Sequence, residues 1–175
     1  MDDDLATALL RALRAPGRLP RRLLPTGWFS FFDGEATAGD VLAQRHASAV
    51  LARVGVPHDT AWSPGFRPGA LSLEEADPRA YDTLLFVCGP VHGPQVARLH
   101  ARFGSCRRLA AGVTVVDPAD AAVTGFHGIL PRDGTSAPAR HDLAAGARWA
   151  RCRPWPGWCR RTGRASTGPA GGTSG

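Results

Sequence analysis

Three short stretches carry residue types able to bind or react. The first is "TAGD", Thr37 to Asp40, at the step from an apolar aromatic run into a helix-like pattern. Small residues there (Ala36, Thr37, Ala38, Gly39) let a ligand approach the backbone. A helix N-terminus offers unpaired N–H groups and a positive partial charge. Thr37 or Asp40 serves equally well as a plain helix cap, and composition does not separate the two roles. The second stretch is "CGPVHG", residues 88–93. Gly89 and Gly93 flank His92, which could contact a ligand or carry a proton; a histidine that simply starts a helix fits the same pattern. The third is Asp117, at the end of another apolar run. The chain contains no P-loop, no HExxH and no ordered Ser/His/Asp set, so no catalytic residue is assigned.

The elements that must position these residues read as follows. Residues 2–14 predict an amphipathic helix with acids first and arginines last. "APGRLPRRLLP" reads as a connector broken by prolines. "TGWFSFF", 26–32, predicts an aromatic strand. Residues 40–54 predict a helix with Val41, Val50, Leu51 and Val54 on one face, stopped by Gly55. "HDTAWS", 58–63, predicts a short strand, and the loop after it one helical turn at 72–76. "DTLLFVCG", 82–89, is an uninterrupted apolar run, as expected of a strand buried on both faces. Residues 93–104 predict a helix and 107–118 another buried strand. The order β-α-β-β-α-β predicts an α/β protein with an open, mostly parallel sheet. In such a sheet ligands bind where strands end and helices begin, which would place Asp117 on the same rim as the two glycine-containing steps.

The chain has 175 residues, enough for a domain with a sizeable core. It holds no lysine and no asparagine, and Ile129 is its one isoleucine. Those residues have AT-rich codons, so the arginine content reflects a GC-rich gene as much as a function. The net charge is +6, and Arg148, Arg151, Arg153, Arg160, Arg161 and Arg164 account for all of it. A basic tail can serve nucleic acid, but residues 1–147 sum to zero and extend no basic face, so nucleic acid is not the expected partner. Of Cys88, Cys106, Cys152 and Cys159, no two are spaced as CxxC, so no metal site is expected. Cys88 reads as a small buried hydrophobe. No run approaches the roughly 18 apolar residues of a membrane span. The N-terminus is acidic rather than basic. The expectation is a cytoplasmic protein without a membrane span.

"GWFSFFDGEATAGDVLA", then "YDTLLFVCGPVHG" and "LAAGVTVVDP", resemble the N-terminal half of polysaccharide pyruvyl transferase family proteins over about residues 26–132. Gly39 and Asp40 match that family's Gly-Asp step, and Thr37 stands where it usually has asparagine. Its second glycine-rich signature is here "CGPVHG". The resemblance implies a single Rossmann-like lobe of the GT-B type in this chain and a second lobe elsewhere. It implies transfer of a pyruvyl group from phosphoenolpyruvate to a sugar or glycan acceptor, forming a ketal. The donor is a substrate, and no cofactor is implied. The acceptor side would include Thr37, Gly39, Asp40, Gly89, His92, Gly93 and Asp117. The second lobe would hold much of the donor site, so this half alone would be inactive.

Three segments are expected: a helix and connector at 1–25, the lobe at 26–132, and a linker with a disordered Arg/Trp/Gly/Pro-rich tail at 133–175. Trp149, Trp155 and Trp158 fall in that tail, although disorder is normally aromatic-poor. Tryptophan has the single codon TGG. Back-translated "PWPGWC", read from its third base, encodes small and apolar residues like a buried strand. The reading frame is therefore expected to change around residues 140–148. Two other readings stay open on the residues alone. One is a stand-alone sugar- or nucleotide-binding α/β module, the other nucleic-acid binding through the tail.

Overall fold

The computed structural model describes residues 3–14, 17–33 and 36–133. The expected tail and frame change fall outside the described residues.

Five named strands form one parallel sheet. Strand β1 (Leu23–Thr26) pairs with β2 (Thr83–Val87), in register from Leu23 opposite Thr83 to Thr26 opposite Phe86. On its other side β2 pairs with β4 (Arg107–Val115). The two-residue β3 (Pro90–Val91) continues along the same edge of β4, opposite Thr114 and Val115. Strand β5 (Gly128–Asp133) closes the far side of β4. Residues 57–61 flank β1: Leu23 N–H donates to Pro57 O, Asp59 N–H to Leu23 O and Ala61 N–H to Pro25 O. Counting that segment as the second strand, the spatial order is 2-1-3-4-5, that of a doubly wound, Rossmann-like lobe.

The apolar run of β2 is divided between two faces, as a strand's alternation requires. Leu85 and Val87 pack with helix α1 (Asp3–Arg14) through Leu9 and Leu13, and with α2 (Ala38–Arg53) through Ala43, Ala47 and Leu51. Leu84 and Phe86 pack with α3 (Gly93–Arg102) through Val96 and Leu99, and with the short α4 (Ala121–Thr124) through Ala122 and Val123. Each such fully buried side chain stabilises the fold by about 1.5–3 kcal/mol. Helix α1 shares a core with Leu23, so the N-terminal residues cover one face of the sheet.

Local chemistry explains the helix ends. Thr37 caps α2, accepting from Asp40 N–H through its side chain. At the other end Val56 N–H donates to Leu51 O and Gly55 N–H to Ala52 O. Gly55 has φ +71°, as a left-handed closure needs. The turn expected at 72–76 is present, with Ala76 N–H bonded to Ser72 O. Among the described residues no helix is long and apolar enough to cross a membrane.

Four sequence expectations are corrected. The first strand is not 26–32 but Leu23–Thr26, three of whose four residues fall in the stretch read as a connector. Pro25 lacks an N–H, but its partners lie on the loosely paired 57–61 side, so the β2 ladder is intact. Residues Trp28–Ser30 instead form one tight turn. Gly27 N–H donates to Ser30 Oγ, and Ser30 Oγ–H to Ala61 O. That turn sends Phe29 into the α2-side core and Phe31 into the α3-side core. Second, 58–63 forms a single bridge, His58 to Leu23, instead of a regular strand. Third, the 82–89 run breaks at Cys88-Gly89 before resuming as β3, and the 107–118 strand ends at Val115. Fourth, β5 follows the short α4 where no strand was expected.

Candidate functional site

In a 2-1-3-4-5 sheet the winding reverses between β1 and the strand beside it, and a crevice opens at their C-terminal ends. Here those strand ends lead into the turn after β1, the start of α2 and the Cys88–Gly93 step after β2, which frame the candidate crevice. Its floor is an irregularity in two neighbouring strands. Cys88 and Gly89 have φ of +64° and +76°, and Gly112, beside them in β4, has +66°. Cys88 N–H donates to Ala111 O and Thr114 N–H to Gly89 O, so pairing resumes after the double bulge. A left-handed non-glycine backbone costs of order 1–2 kcal/mol. Cys88 is held there by burial, with 6% of its surface exposed.

The Cys88 thiol donates to the Asp40 carboxylate. Burial pushes the thiol up to about 11, and the Asp40 charge adds to this, against an opposing pull from Arg132. Cys88 is therefore a protonated donor at neutral pH, not a nucleophile. Asp40 is itself 6% exposed. Its Oδ2 accepts from Thr37 N–H at 2.8 Å and Thr37 Oγ1–H at 2.7 Å. Both roles that the sequence left open for Thr37 and Asp40 thus resolve first into a cap: the pair closes the start of α2 and Cys88 ties it to β2. Gly39 lies beside them, and a Cβ there would meet only Thr37 Oγ1, at 3.5 Å. Among the described residues nothing crowds Gly39.

Trp28 forms one wall. Its Nε1–H donates to Pro90 O at 2.8 Å, and its ring lies 5.4 Å from that of His92. Gly89 lies directly beneath the indole, where a Cβ would come within 2.5 Å of Trp28 Cδ1. His92 is exposed and precedes α3 without capping it through its side chain. Gly93, with φ +83°, begins α3 and donates its N–H to Asp120 Oδ2 at 3.3 Å. Asp120 Oδ1 accepts from Ala122 N–H at 2.8 Å, capping α4. These backbone bonds, helped by nearby His92, hold the Asp120 carboxyl below the usual range.

Of the residues singled out from sequence, Thr37, Gly39, Asp40, Gly89, His92 and Gly93 meet around this crevice. Asp117 follows β4 on the same rim, exposed, with Oδ1 engaged by Ala119 N–H. No protein-family model matches the chain, and no curated protein matches it significantly. Sequence reasoning missed Trp28, Asp120 and Arg132, and saw in Cys88 only its burial. Asp120 did carry a signal: an aspartate directly before "AAVT" is a cap. Arg132 Nη2 donates to Thr114 Oγ1, a contact that depends on the pairing of β4 with β5. Chemically, the crevice presents carboxylate acceptors, an aromatic wall and an exposed imidazole. Acceptors of this kind suit ligand O–H groups.

Proposed function

We propose that this chain is the acceptor-side lobe of a polysaccharide pyruvyl transferase family protein, binding a sugar in the β1/β2 crevice. The reaction would transfer a pyruvyl group from phosphoenolpyruvate to the sugar as a ketal. One observation supports the reading above the others. The two stretches that carry the family resemblance, Thr37–Asp40 and Cys88–Gly93, lie far apart in sequence but meet through the Cys88 thiol and the Asp40 carboxylate. In this reading Asp40 and Thr37 shape the acceptor edge, Trp28 flanks the sugar ring and His92 lies within reach of its hydroxyls. The donor anion needs fixed positive groups to orient it, and these are assigned to a second lobe.

The test is direct. A panel of methyl glycosides is titrated into the purified chain while the indole N–H signal of Trp28 is followed, assigned through Trp28→Phe. Saturable shifts at Trp28 and His92 with at least one glycoside are expected. With phosphoenolpyruvate added, neither phosphate release nor ketal is expected from this chain alone. Absence of glycoside binding across the panel would count against the reading. Turnover would place a donor site within these 175 residues.

A further inference from the structure

Phe32 is 73% exposed, while its neighbour Phe31 is buried in the α3-side core. A single exposed phenylalanine is ordinary. Phe32, however, borders two grooves, of about 600 and 610 Å³. The first runs between the turn after β1 and helix α3, with Phe31, Leu73 and Leu99 as its apolar lining. Its walls are held in place. Arg102 Nη2 donates to Glu74 O at 2.8 Å and to Ala76 O at 3.1 Å, tying the loop that carries Leu73 to α3. Glu75 Oε2 accepts from Ser72 N–H at 3.0 Å and from Ser72 Oγ–H at 2.9 Å, closing the same loop on itself. The groove is thus preformed, which lowers the ordering cost of filling it. Arg98 lines it from α3, and Asp33 and Glu74 line it from loops. All three are exposed, and among the described residues none belongs to a salt bridge. One surface therefore carries a knob beside a hole, and unpaired charges of both signs. Such a surface suits a second copy of itself, because under two-fold rotation residue i meets j and j meets i. A partner of a single charge would be repelled by one side of the groove.

We infer that this face is a two-fold dimer interface, in which Phe32 of each copy enters the first groove of the other and Arg98 of each meets Asp33 and Glu74 of the other. Phe32 is the anchor, since buried aromatic side chains carry much of an interface's binding energy. The charged residues set register and exclude wrong partners more than they add affinity. The inference stands apart from the acceptor-lobe reading, since it uses no residue of the crevice.

Sedimentation velocity on the full chain across a range of concentrations reads the association. The wild-type chain should form a concentration-dependent dimer. Phe32→Ala should weaken it by about tenfold or more. Arg98→Glu should do the same, because it sets like charges against each other at both contacts. The double variant Asp33→Arg, Glu74→Arg should also fail to dimerise. Mixing Arg98→Glu with that double variant restores opposite charges at both contacts, so the dimer should return. The replaced side chains are all exposed, and circular dichroism checks the fold of each variant. Should a charge variant fail to fold, Phe32→Ala decides. A wild-type chain that stays monomeric up to about 1 mM would overturn the inference and leave the groove to a partner other than this chain. A dimer that persists unweakened in folded Phe32→Ala or Arg98→Glu would overturn it too, placing the contact elsewhere. So would failure of the mixed, folded charge variants to associate.

Discussion

The indole of Trp28 lies over the Cα of Gly89, in the space a side chain there would need. It stays in place through the Nε1–H bond to Pro90 O and ring contacts with Phe31 and Phe86. The crevice wall therefore depends on a residue that has no side chain. Gly89 also has φ +76°, which an L side chain rarely adopts. Gly89→Ala should destabilise the lobe by about 2–4 kcal/mol, combining backbone strain with overpacking. In Trp28→Ala the clash is absent, so adding Gly89→Ala there should cost measurably less. Thermal unfolding of the four-member cycle reads the coupling, and additive effects would show that the indole is not what excludes a side chain.

The buried thiol of Cys88 should resist alkylation at neutral pH. Its value is pushed up to about 11 by burial and by Asp40, and the thiolate is the reactive form. Iodoacetamide labelling of Cys88 in the folded chain, followed by peptide mass mapping, should be slow at pH 7–8 and rise toward pH 11. A folded value above the unfolded one means that this group's stabilising contribution is present at lower pH and lost as pH rises through the folded value. Asp40→Asn removes one cause of the shift, so the labelling profile should move to lower pH.

The two residues of the Gly-Asp step should behave differently when replaced. Gly39 sits near the start of α2 outside the left-handed region, and among the described residues a Cβ there would make only an ordinary contact with Thr37 Oγ1 at 3.5 Å. Gly39→Ala should leave stability unchanged or raise it by up to about 1 kcal/mol. If it nonetheless weakens glycoside binding, the gap serves a ligand and not the fold. Asp40→Asn should cost about 1–2 kcal/mol, since an amide cannot accept from Thr37 and from the Cys88 thiol as the carboxylate does. Denaturant unfolding measures both, and an unchanged midpoint for Asp40→Asn would remove the cap-and-thiol account.

Acid should weaken the contact between α3 and α4 through His100. Its Nε2–H donates to Ala122 O at 2.8 Å, the ring edge meets Phe126, and Gly125 packs against it without room for a Cβ. Among the described residues Nδ1 is buried without a partner. Burial holds the imidazole below its ordinary value of 6.5, with Arg108 and His127 acting in the same direction. The fold therefore keeps His100 neutral while the unfolded chain protonates first. Its stabilising contribution is complete above about pH 6.5 and falls as pH drops through the folded value. Chemical denaturation between pH 7.5 and 5 (about the range in which histidine titrates) should show declining stability. His100→Leu should flatten that slope, even though the variant is less stable at neutral pH. An unchanged slope would assign the decline to other groups.

Local features of the fold were legible without coordinates. Capping and closure act over three or four residues, so Thr37 at one end and Gly55 at the other delimit α2 on their own. The apolar run before Cys88 requires burial on both faces, which implies a parallel sheet covered by helices. Together these established the α/β class and placed two glycine-containing steps at strand ends. The tertiary structure decided what depends on partners distant in sequence. Strand β1 was hidden because Pro25 breaks a local pattern, and only pairing with Thr83–Phe86 makes Leu23–Thr26 a strand. The aromatic run after it looked like a strand because its residues favour strands, yet Ser30 bonding to Ala61 folds it into a turn that feeds both cores. The break at Cys88-Gly89 depends on the matching bulge at Gly112 in the next strand. The capture of Asp40 by Cys88, and of the α3 start by Asp120, likewise joins residues many positions apart. A sequence shows which residues can cap a helix, but which distant strand or helix the capping carboxylate also joins depends on what the sheet brings beside it.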